Sequence, residues 1–131
     1  MSGPSSFFQL LRSGGSGTYY IFLIALAVLV LWMARAQLSF DDPMKLKQLV
    51  TSGAQLIDVR SPGEYAKGHI EGAINIPVGE LTQQISQLGD PQKPIVVYCR
   101  SGVRSSRAQS TLRAQGFTQV YNLGGINEWP K

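Results

Sequence analysis

The 131-residue chain has a single cysteine and a single histidine. Cys99 alone cannot close an intramolecular disulfide, and with His69 it lacks the paired Cys/His spacing of a zinc site, so neither a disulfide framework nor a bound metal is expected. Charge is also sparse, at 15% of residues, and acidic side chains are missing altogether before Asp41. Beyond that point ten Lys and Arg face eight Asp and Glu, a balance too even to attract nucleic acid. The length leaves room for one compact domain and an appendage, but no second catalytic domain.

What the chain does have is placed unevenly. Residues 1–18 are rich in Ser and Gly and read as a flexible tail, with a short apolar turn at Phe7 to Leu11. Residues 19–35 then read as a transmembrane helix, because Tyr19 to Ala34 contains no charge, Pro or Gly. At ~1.5 Å per residue the stretch reaches across a hydrocarbon core. Tyr19 and Tyr20 at one end and Trp32 at the other suit the two lipid interfaces, with Arg35 among the headgroups. A cleavable signal peptide is the competing reading, since Ala34-Arg35-Ala36 has the small-x-small pattern; the domain would then be exported after cleavage near Ala36. The long preceding tail, the bulky Trp32 and Met33, and the arginine inside the cleavage pattern favour a retained single-pass anchor in the cell membrane. Arg12 before the span against Arg35, Lys45 and Lys47 after it orients the domain toward the cytoplasm.

Residues 37–131 alternate between strand and helix signals. Asp42-Pro43 supplies an N-cap and a proline at the first helical position, Leu46, Leu49 and Val50 form a stripe, and Gly53 ends the helix. Residues 56–59, 74–76, 95–98 and 119–122 read as strands. Val78, Leu81, Ile85 and Leu88 have helical spacing before Gly89 and Pro91, and a further helix is expected over 103–115. Gly124-Gly125 reads as a turn into a last helical piece containing Trp129. The run Ile95-Val96-Val97-Tyr98 is apolar on both faces, as in a buried parallel strand. The expected class is α/β, with a mainly parallel central sheet flanked by helices and preceded by the transmembrane helix.

Cys99 follows directly on that buried strand, where open α/β sheets bind ligands. The segment Arg100-Ser101-Gly102-Val103-Arg104-Ser105 leads from it into a helix. Gly102 permits backbone angles that let successive N–H groups converge on an anion at the helix start. Such a nest, with two arginines nearby, would pull the thiol below its free value of ~8.5 and leave a thiolate without a dedicated base. A buried packing cysteine is the alternative, but packing alone requires no Gly-bearing polar loop or flanking arginines.

The stretch Cys99-Arg100-Ser101-Gly102-Val103-Arg104-Ser105 resembles the active-site loop of rhodanese-like domains. Asp58-Val59-Arg60, with Glu64-Tyr65 and the run from Gly68-His69-Ile70 to Pro77, resembles the family's upstream signature. Leu123-Gly124-Gly125 with Trp129 resembles its C-terminal one. The resemblance implies the rhodanese fold and transfer of sulfane sulfur through a persulfide on Cys99, with no cofactor. A small anionic donor such as thiosulfate and a thiol or cyanide-like acceptor are the implied partners, and residues 100–104 the implied binding loop. Arg100 is the better placed to attract the donor, while Arg104 either shares that task or braces the loop. Asp58, Arg60 and Ser105 are expected to support the site, His69 to be structural, and Trp129 to plug the core. A non-catalytic docking module and a cysteine phosphatase or arsenate reductase are the competing classes.

Overall fold

The computed structural model describes residues 17–36 and 39–131, which divide into two units. The first unit contains a helix, α1 (Gly17–Ala36), of 20 residues, about 30 Å at ~1.5 Å each. Its apolar side chains from Tyr19 to Met33 are exposed, and by length and composition it suits either a membrane span or a signal sequence. The expected apolar turn at Phe7 to Leu11 and the headgroup contact of the Arg35 side chain lie outside the described residues.

The second unit is an α/β layer structure. Helix α2 (Pro43–Thr51) starts as its sequence predicts: Asp42 Oδ1 accepts a hydrogen bond from Met44 N–H at 3.0 Å, and Pro43 occupies the first turn. Strand β1 (Gln55–Asp58) follows, then helix α3 (Pro62–Lys67) and the two-residue strand β2 (Ile74–Asn75). Strand β3 (Ile95–Cys99), helix α4 (Val103–Ala114) and strand β4 (Val120–Gly125) complete the order. The sheet is wholly parallel, in the order β2-β1-β3-β4.

Side-chain alternation along the central strand sorts the core into two layers. Ile95, Val97 and Cys99 pack with Ala108 and Leu112 of α4 and with Leu81, Leu88 and Phe117. Val96 and Tyr98 pack with Leu46 of α2, Leu56, Ile70 and Leu123, against which Trp129 rests half-buried. The pleat therefore aims the Cys99 side chain at the layer that holds α4.

Three stretches depart from the sequence expectation. Residues 78–88 form two 3-10 turns, Val78–Glu80 and Ile85–Leu88, instead of a helix. Neither turn has a side-chain cap, and Gly79 within the first turn and Thr82 between the two weaken helix formation. The spacing of Leu81 and Leu88 serves burial in either conformation. Helix α3 stands where no helix is expected from the apolar spacing, and Ser61 and Glu64 start it with a capping box. Gly124 and Gly125 belong to the strand itself, and the expected last helical piece follows them as a 3-10 turn, Ile126–Glu128, with Trp129 just past its end. The two glycines continue β4 past a register shift and pair with Tyr98 and Cys99. A Cβ on Gly125 would lie 2.7 Å from the Arg100 carbonyl oxygen, so only glycine lets the strand run this close to the loop.

Candidate functional site

Cys99 ends β3 and is fully buried. The chain then turns through Arg100 and Ser101 to Gly102, whose φ of +100° is open to glycine and strained for other residues. This turn brings the Gly102 N–H to 2.9 Å from Cys99 Sγ. Ser105, buried in the first turn of α4, holds its Oγ 3.5 Å from the sulfur and 3.0 Å from the Gly102 carbonyl, so its one proton serves the carbonyl beside the neutral thiol and the sulfur once the thiolate forms. The Gly124 carbonyl lies 3.5 Å from the same hydroxyl.

Burial is the largest single influence on this thiol and pushes it up. Hydrogen bonds from Ser105, Gly102 and Ser101 together outweigh it and hold Cys99 below the ordinary thiol range. The arginine effect expected from the sequence is present but secondary: Arg104 attracts the Cys99 thiolate by charge, while the hydrogen bonds do most of the lowering.

The arginines divide. Arg100 is exposed and, with Ser101, lines a cavity of about 530 Å³ that Phe40, Asn127 and Glu128 also border. Arg104 grips Glu64 of α3 with both terminal nitrogens, NH1 to Oε1 at 2.6 Å and NH2 to Oε2 at 2.9 Å. That fork-to-fork pair ties α3 to the start of α4, directly after the loop. It also holds the Glu64 carboxyl well below the ordinary carboxylate range, at about 2. Val103 is exposed at the helix start. Glu64 is the residue that sequence reasoning left without a role, although its place in the capping box marks it.

Asp58 and Arg60 form a buried ion pair at the end of β1, with NH2 to Oδ2 at 2.7 Å. Arg60 also donates to the Gly68 carbonyl at 2.6 Å, and Asn75 Nδ2 donates to both backbone carbonyls of the pair. The group fastens β1 to β2 and to the turn at Gly68, which is support at one remove from the sulfur. His69 stacks on Tyr65 with ring centroids 3.7 Å apart and donates from Nδ1 to the Tyr65 carbonyl at 2.9 Å. Both partners are local, in keeping with a structural residue. Among the described residues no group of three or more His, Cys, Asp or Glu could hold a metal.

The family model described as "Rhodanese-like domain" matches residues 42–131. The chain belongs to the rhodanese-like family. It is 51% identical over 77 residues to the uncharacterized protein YqhL of Bacillus subtilis, covering 58% of this chain and 60% of that protein's length. It is 40% identical over 73 residues to the thiosulfate sulfurtransferase PspE of Escherichia coli, covering 55% and 70% of the two chains. A human single-domain sulfurtransferase superposes with a TM-score of 0.63 at 32% identity, over 69% of this chain and 93% of the other. A rhodanese with anions from Escherichia coli superposes at 0.56 with 37% identity, over 60% and 95%. The rhodanese fold explains why β4 must carry glycines here: the sheet delivers Cys99 and Gly125 side by side, and the loop folds over the gap between them.

Proposed function

We propose that this chain is a sulfurtransferase that moves sulfane sulfur through a persulfide on Cys99. The observation that carries the reading is the Gly102 N–H held 2.9 Å from the sulfur of a thiol whose pKa is lowered. The name of the Escherichia coli relative supports thiosulfate as the donor. The Cys99 thiolate attacks the outer sulfur of thiosulfate, the S–S bond breaks, and sulfite leaves with the bonding electrons. The new terminal sulfur carries the negative charge, which the N–H groups of residues 100–104 stabilise. A thiolate or cyanide acceptor then attacks that sulfur and releases the Cys99 thiolate. Both leaving groups are stable anions, so neither step needs a general acid, and His69 is not required. Arg100, exposed beside the loop, attracts the anionic donor.

Loop length argues against the phosphatase class. Cysteine phosphatases need five residues between the cysteine and the arginine that grips a tetrahedral phosphoryl group, whereas Arg104 follows Cys99 after only Arg100 to Val103. Its guanidinium is moreover committed to Glu64. The layout we infer is a membrane-spanning helix within Gly17–Ala36, beginning two residues before the span expected at 19–35 and in contact with lipid, and the rhodanese-like domain at 37–131 on the cytoplasmic face. Export after cleavage near Ala36 is the alternative.

The test is mass spectrometry of the purified chain after thiosulfate treatment. One sulfur atom should be added, on Cys99, and Cys99→Ser should lose both the adduct and thiosulfate-to-cyanide turnover while remaining folded. Undiminished turnover in Cys99→Ser would end the assignment. A wild-type chain that takes up no sulfur would favour the docking-module reading.

A further inference from the structure

Residues 39–42, which lead into α2, are tied to β4 at two points. Asp41 N–H donates to the Asn122 carbonyl at 2.8 Å, and Asn122 N–H donates to Asp41 Oδ2 at 2.8 Å. Anchored in this way, the preceding residue lays its ring on two glycines, Gly102, which donates to the sulfur, and Gly124, whose carbonyl lies near the Ser105 hydroxyl. A Cβ added to Gly102 would overlap the Phe40 ring, at 2.5 Å from Cε1, and one added to Gly124 would lie 3.0 Å from Cδ1. Phe40 thus fills the space that side chains at both glycines would occupy, and about half of the residue, 47%, stays exposed.

The backbone groups under the ring are those that surround Cys99. Gly102 supplies the N–H donated to Sγ and the carbonyl that accepts from Ser105. Gly124 supplies the other carbonyl near the Ser105 hydroxyl. Asn122 carries the connection further: its Oδ1 accepts from Gly124 N–H at 2.9 Å, and its Nδ2 donates to Ser106 Oγ at 3.0 Å. A turn with a positive φ at its centre holds a fixed aim only if something packs on it, because glycine has the widest conformational freedom of any residue.

We propose that Phe40 and Asp41 are positioning residues for the Cys99 thiolate, the ring clamping Gly102 and Gly124 and the carboxylate fixing Asn122 beneath them. The inference rests on Cys99 being the working nucleophile, yet its test needs no sulfur donor. The charged groups around the loop are Arg100 within it, Asp41, Asp42 and Glu128 on the cavity that Arg100 lines, Arg104 on α4 with Glu64 of α3, and the Asp58–Arg60 pair ending β1. Strand β4 contributes none. Phe40 is neutral, so its removal acts on Cys99 through geometry and not through a lost charge.

The experiment follows alkylation of the full chain, in mild detergent, by iodoacetamide as a function of pH. The reagent attacks the thiolate, and Cys99 is the only cysteine. Phe40→Ala should move the inflection to higher pH and slow alkylation on its acid side about three- to tenfold, the range that one weakened hydrogen bond spans. Phe40→Leu should restore most of the wild-type profile, and Asp41→Ala, which keeps the ring, should shift it in the same direction by less. In thiosulfate turnover, Phe40→Ala should lower kcat and leave KM unchanged. A Phe40→Ala profile that superimposes on wild type overturns the proposal. So does a rate that rises equally at every pH, which would make the ring a shield over the sulfur. If the wild type shows no sulfur transfer while the alkylation profiles shift as stated, the positioning role stands and the sulfurtransferase reading falls.

Discussion

Replacing Asp58 with alanine strands a guanidinium that is only 7% exposed. Asp58 itself is fully buried and receives Arg60 Nε at 3.0 and 3.1 Å and NH2 at 2.7 Å, as well as the Arg60 backbone N–H at 2.9 Å. Breaking a buried ion pair by removing one partner costs about 3–5 kcal/mol, because the other charge stays desolvated. Arg60 retains its bond to the Gly68 carbonyl and its place over the Tyr98 ring, 5.8 Å from the centroid. Those two contacts put the expected loss at the lower end, about 3 kcal/mol. A typical domain has about 5–15 kcal/mol in all, so the variant should remain folded but lose much of its margin. Replacing both residues, Asp58→Ala with Arg60→Met, removes the stranded charge and should cost less than the single change, about 1–2 kcal/mol. The measurement is a thermolysin pulse across a urea series on the full chain in mild detergent, reading the midpoint at which the domain becomes cleavable. A loss under about 1 kcal/mol for Asp58→Ala, the level of a solvated surface pair, would refute the reasoning. A double variant less stable than the single one would refute it equally.

Two further outcomes follow from the same geometry. Glu64, ordinarily near 4.5, is held at about 2 chiefly by its hydrogen bond from Arg104, so the stability it contributes is present above about pH 4.5 and lost as the pH falls toward 2. Side chains about one-third exposed are screened by solvent, which limits the effect to about 1 kcal/mol. Glu64→Gln should therefore lower the urea midpoint at pH 7 and lose most of that deficit near pH 2, and an equal deficit at both pH values would show that the pair contributes nothing specific. The membrane reading predicts that the full-length protein stays with membranes through alkaline carbonate extraction. Recovery of a chain beginning at Gln37 would instead show cleavage.

How the charges serve the site is a separate matter from how many there are. Four arginines cluster in sequence near the cysteine, at positions 100, 104, 107 and 113, yet the sulfur is held by neutral donors and one of the arginines is bound to Glu64. In the reaction we propose, the exposed Arg100 meets the incoming anion, while short fixed hydrogen bonds do most to stabilise the thiolate.

The amino-acid sequence by itself determined the features whose signals are local. Asp42-Pro43 marks a helix start because both the capping side chain and the fixed φ act within one turn. The apolar run of β3 marks a central strand, because it is short, rich in β-branched residues and bounded by Pro94, and it places Cys99 at the carboxyl end of the sheet. Residues 78–88 escaped the same treatment, since apolar spacing records which side chains are buried and not which carbonyl each N–H reaches. The glycine pair at 124 and 125 escaped it too, because glycine serves a turn and a close approach alike, and only the Arg100 carbonyl beside it shows which. Tertiary structure alone decided the long-range partners: Glu64 with Arg104, Asp41 with Asn122, and Phe40 on Gly102 and Gly124. Each of these contacts joins segments with a strand or helix between them, so no periodicity or local motif encodes it, and folding of the sheet is what brings the two ends together.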